Sequence, residues 1–140
     1  MDSRAGGRSG GGLGKFHARL IEDFTAFAQS EFELSAVVKE DGLTVRQHLQ
    51  AAWERSGVMP AELSLALGDG LERLWSDFMA LHGSRASTGF GPARIGYAEI
   101  DAYQRVIGAR FEPWELDAIR AADNAYLVHY AETHKPETKH

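Results

Sequence analysis

The sequence predicts an all-α fold: a single small bundle of about five to six helices behind a flexible Gly-rich amino-terminal tail. Three observations carry this. Apolar residues recur every three or four positions in successive segments. Glycine and proline punctuate those segments at their ends. No run shows the period-two alternation of a half-buried strand. The 140 residues suit one domain with its own core. The predicted division is a tail over 1–14, a helical domain over 15–133 and a frayed end over 134–140.

Residues 1–14 are rich in Gly, Ser and Arg and bury too little to offset the entropy of ordering. Gly14-Lys15 after several glycines invites comparison with a phosphate-binding loop. That pattern fails, because Ser9 stands where the first Gly belongs and Phe16 where Ser or Thr would bind magnesium. From Lys15 to about Ser30, Phe16, Leu20, Phe24 and Phe27 stack on one helical face, which Ile21 and Ala28 widen. Residues 31–41 read as a continuation of that helix. Asp41-Gly42 ends it, and Thr44 is placed to cap a helix over Val45–Ser56. Val45, Leu49, Ala52 and Trp53 form the apolar face of that helix, and Gly57 follows its end. Pro60 suits the first turn of a short helix reaching Leu67.

Leu71–His82 carries a wide apolar stripe of Leu71, Leu74, Trp75, Phe78 and Leu81. A Gly-rich connector follows, with a turn expected around Phe90-Gly91-Pro92. A phenylalanine there is expected to tuck onto the core, or else to stand out as an anchor. Tyr97–Ile107 is a short helix ended by Gly108. Pro113 fits the first position of the last helix, which runs to about Thr133. Trp114, Ala118, Ala121, Ala125 and Val128 form a seam along it, broadened by Ile119, Ala122 and Tyr126.

The composition excludes several function classes. With no cysteine there is no disulfide, thiolate nucleophile or zinc–sulfur site. The net charge is −5, and the cations of residues 1–15 leave the remainder at −7. Such a body disfavours phosphate backbones. No apolar run has the length of a membrane helix, and the amino terminus has no apolar signal core.

The chemistry-bearing residues are sparse. Asp123 borders the alanine-rich face of the last helix and reads as the acid of a structural pair with Arg73, Arg94 or Arg110. A general-base role lacks a histidine or second carboxylate at a defined spacing. The six histidines are scattered, and His129 and His134 are five apart, which does not put both on one helix face; no metal site is expected. Helices over 97–107 and 113–133 around Gly108 have helix–turn–helix proportions, so a DNA-binding regulator is the alternative reading. Glu112, Glu115 and Asp117 at the start of the would-be recognition helix oppose it electrostatically.

Residues Leu43 to Tyr130 resemble the tail assembly chaperones of long-tailed bacteriophages, prophages and gene-transfer elements. The likeness lies in L-T-V-R-Q-H-L with S-G-V-M-P-A-E-L, and in L-W-S-D-F-M-A-L-H. It continues through G-F-G-P-A-R-I-G-Y-A-E-I-D-A-Y and G-A-R-F-E-P-W-E-L-D-A-I-R-A-A-D-N-A-Y-L. The Gly-rich start and the Phe16–Phe27 helix lie outside it. The resemblance implies a non-enzymatic, cofactor-free protein in the bacterial host cytoplasm. It implies the tape-measure protein as client, with the tail tube protein as a second partner. The charge balance and the short apolar runs speak for no nucleic acid and no membrane. Candidate partner-binding residues are Trp75, Phe78, Phe90, Trp114 and Tyr126, since aromatic anchors are favoured at interfaces. Asp123, Pro113, Gly91 and Pro92 are expected to be structural.

Overall fold

The computed structural model describes residues 11–135. Among these, five α-helices make up most of the fold: α1 (Gly11–Leu34), α2 (Val45–Ser56), α3 (Glu72–Gly83), α4 (Tyr97–Ile107) and α5 (Pro113–Thr133). A 3-10 turn at Ala61–Leu63 and a two-stranded ribbon, β1 (Ser87–Thr88) with β2 (Gly91–Pro92), complete it. The all-α prediction holds. The expected tail lies outside the described residues over 1–10, whereas 11–14 already belong to α1.

Helices α1 and α5 lie side by side and run in the same direction. His17 near the start of α1 stacks on Trp114 at the start of α5, at 5.2 Å. Phe32 near its end meets Tyr126 and His129 at 5.2 and 6.3 Å. A parallel pair needs a long return path, and residues 35–112, which hold α2, α3 and α4, supply it. The core is one cluster built around Phe24, Ala28, Phe32, Leu74, Phe78 and Ile119. Its rings meet at edges and tilts, as quadrupoles prefer: Phe24 lies T-shaped to both Trp75 and Phe78.

Local signals set most helix ends. Thr44 Oγ1 accepts the Gln47 N–H at 3.1 Å, and Gln47 Oε1 accepts the Thr44 N–H at 2.8 Å, a reciprocal capping box. Gly57 closes the same helix in the left-handed region, φ 76°. Pro113 occupies the first turn of α5 behind Glu112, and α4 spans the predicted residues.

Several expectations need correction. Helix α1 stops at Leu34 instead of running on to Asp41. Beyond it the valine-bearing chain turns back on itself, with the Val38 N–H donating to the Leu43 carbonyl at 2.8 Å and the Val45 N–H to Ala36 at 2.9 Å. The buried face of α1 is Phe24, Ala28 and Phe32, whereas Phe16 is exposed and the neighbouring His17 makes the contact with Trp114. The Pro60–Leu67 helix shrinks to a single 3-10 turn. Helix α2 buries no residue fully, and Trp53 stays 41% exposed. On α5 the inward face is Ala118, Ile119, Ala122, Asp123 and Ala125, with Val128 left outside. The alanines admit α1 closely, and Ile119 fills the space between.

Candidate functional site: an aromatic groove beside a clamped hairpin

At the end of the bundle where α1, α3 and α5 finish, a groove of about 640 Å³ opens to the surface. Helix α1 contributes Glu31 and Phe32, and the segment after it Val37 and Lys39. Helix α3 contributes Trp75, Met79 and His82. Helix α5 and its cap contribute Tyr126, His129, Tyr130 and His134. The floor is a stack of rings. His82 lies parallel to Phe78 at 5.7 Å and meets the edge of Tyr126 at 4.4 Å. His134 lies over Tyr130 at 3.8 Å.

Beneath the groove sits a buried ion pair. Arg85 Nη1 donates to Asp123 Oδ1 at 2.5 Å and to the Ala93 carbonyl at 2.8 Å. The two side chains are 5% and 2% exposed. Asp123 Oδ2 accepts the buried Ile95 N–H at 3.1 Å. The guanidinium also lies 4.6 Å over the Tyr126 ring. Asp123 thus forms the expected structural pair, but its partner is Arg85 and none of the three arginines considered from the sequence. The pair joins residues 38 apart and fastens the α3–α4 connector to α5.

His82 completes the node. Its Nδ1 lies 2.9 Å from Arg85 Nη2 and 3.3 Å from Nε. A guanidinium only donates, so Nδ1 must accept and the ring proton resides on Nε2. Burial, then the Arg85 charge, hold this imidazole below the ordinary histidine range, with Asp123 opposing. The groove therefore has a neutral histidine in its floor.

The connector carries the hairpin. Thr88 Oγ1 donates to the Gly91 carbonyl and accepts the Phe90 N–H, each at 3.0 Å, and the Ala93 N–H donates to the Ala86 carbonyl at 2.9 Å. Gly91 adopts φ 136°, and a Cβ there would lie 3.1 Å from Tyr130 Cε2. The ribbon is thus seated against the tyrosine that walls the groove. Phe90 at its tip does not tuck inward; it is 100% exposed.

The five aromatic candidates separate by place. Trp75 and Tyr126 line the groove, and Phe78 is fully enclosed behind it. Phe90 stands fully exposed at the hairpin tip, next in the chain to Gly91, and does not line the groove. Trp114 lies at the start of α5 against His17, its Nε1 donating to Glu112 at 3.1 Å. Sequence reasoning missed Phe32, Met79, His82 and Tyr130 as groove residues. It also separated His129 from His134, yet both line the groove, because His134 lies past the last turn and folds back on Tyr130. Among the described residues, no three His, Asp or Glu side chains converge as metal ligands, and no helix is long and apolar enough to cross a membrane.

A profile of the family described as phage tail assembly chaperone matches residues 52–128, more than half of the chain. The chain belongs to the phage tail assembly chaperone family. No curated protein and no solved structure matches it. The matched span of the chaperone holds the Arg85–Asp123 pair, the hairpin, and Trp75, Met79, His82 and Tyr126. The other wall of the groove, from Glu31 to Lys39, precedes it, as does all of α1.

Proposed function

We propose that the protein assists phage tail assembly without catalysis, by holding an amphipathic helical segment of the tape-measure protein in the aromatic groove. It keeps that client soluble until the tail tube protein polymerises around it. The observation that carries the reading is an apolar, ring-lined groove open to solvent in a member of the tail chaperone family. A groove of this kind takes the i, i+3, i+4 and i+7 side chains of a client helix. Its volume of about 640 Å³ is in the range that binding sites use. Trp75 and Tyr126 offer large rigid contact areas there, the type of residue that dominates binding energy.

Co-expression with the tape-measure protein of the same tail gene cluster tests this. Soluble client and a co-purifying complex are expected. The double variant Val37→Asn, Met79→Gln removes apolar surface at two groove residues that are substantially exposed, so the fold is retained. It is expected to lower client recovery. A client equally insoluble with and without the chaperone, with no complex, would falsify the proposal.

A further inference from the structure

We propose that the groove has a second occupant, the Phe90 hairpin of another copy of this chain, so that two copies cap each other reciprocally. Phe90 is 100% exposed, and the backbone that carries it is hydrogen-bonded in place. The Thr88 hydroxyl ties both the Phe90 N–H and the Gly91 carbonyl, and the base of the connector is held by the buried Arg85–Asp123 pair. A fully exposed phenyl ring on a braced ribbon is a large apolar surface without a partner in its own chain.

The geometry also seats the hairpin against a residue of the groove. Gly91 abuts one side of Tyr130, and Tyr130 is itself a wall of the groove. Adjacent Cα atoms are about 3.8 Å apart, so Phe90 begins one residue from that wall. A two-fold contact requires both halves to be on one patch: what one copy inserts, it must also receive. Phe90 and the groove meet that requirement. Charge does not oppose it at the groove, where the lining Glu31 is paired with Arg46 at 2.8 Å.

The expected contact is small. A phenylalanine buries on the order of 150–250 Å², so two insertions supply only part of the roughly 1,200–2,000 Å² of a stable complex. The dimer is therefore of the weak, concentration-dependent class. A helical client in the groove and a second copy would exclude each other.

Sedimentation equilibrium of the full chain over a concentration series tests this. The weight-average mass is expected to rise toward twice the monomer value. Phe90→Ser, and separately Val37→Asn with Met79→Gln, should each shift the midpoint to at least about ten-fold higher concentration, a loss of about 1.4 kcal/mol. Mixing the two variants should restore part of the association, because one insertion is again possible. A chain monomeric throughout, or a Phe90→Ser variant that associates like the parent, overturns the proposal. Neither result bears on client recovery in co-expression, so the two readings fail separately.

Discussion

Asp123 holds three things at once: a guanidinium, a backbone N–H and, through Arg85, the acceptor nitrogen of His82. Asp123→Ala leaves a buried cation and the Ile95 N–H without a partner. The expected cost is about 3–5 kcal/mol, read from urea unfolding. Removing Arg85 as well should not recover all of it, since the Ile95 N–H stays orphaned. His82 adds a pH dependence of fixed sign. Its folded-state pKa lies below the ordinary value of 6.5, so below that value the unfolded chain binds the extra proton. Its stabilising share is present above pH 6.5 and is lost as the pH falls toward the depressed folded value. The thermal midpoint should therefore drop on acidification. His82→Asn, which keeps an acceptor for Arg85 but does not titrate, should flatten that slope relative to the parent. An unchanged slope would remove His82 from the account. None of this node was legible beyond Asp123 itself. Arg85 sits in a loop 38 residues away, and no periodicity marks a loop arginine as buried.

Helices that signal their own ends were readable. Thr44, Gly57, Gly108 and Pro113 fixed the limits of three helices, because caps act over three or four residues. What depends on distant neighbours was not. Phe16 and Phe24 look alike in the apolar stripe of α1, but only Phe24 has α3 across from it. The β1–β2 ribbon is too short to show alternation, so only its turn could be anticipated, not its seat on Tyr130. Gly91→Ala tests that seat. It forces a side chain into φ 136° and against the ring 3.1 Å away. A loss of about 1–3 kcal/mol is expected, with faster amide exchange across 86–93 than elsewhere. If a normal unfolding curve and unchanged exchange were found instead, the ribbon would not be braced as described.

At the scale of the whole molecule, the family-matched span does not contain the whole core. Phe24, Ala28 and Phe32 come from α1, outside residues 52–128, and they close the core over Phe78 and Ile119. A chain begun at residue 35 would expose that core, and it is expected to lose cooperative unfolding by circular dichroism. Retention of a sharp transition would show that α1 is an accessory.

The same-direction pairing of α1 and α5 has one more effect. It brings the carboxyl ends of both helices, and that of α3, to the mouth of the groove. Peptide dipoles sum along each helix, so this mouth carries fractional negative charge from three sources. A guest helix is then not indifferent to which way round it lies: its amino end, with the opposite fractional charge, is drawn inward. With Trp53 and Trp114 replaced by Phe, peptides carrying a quencher at one end or the other would report the polarity through the emission of Trp75, and equal quenching from both ends would deny it.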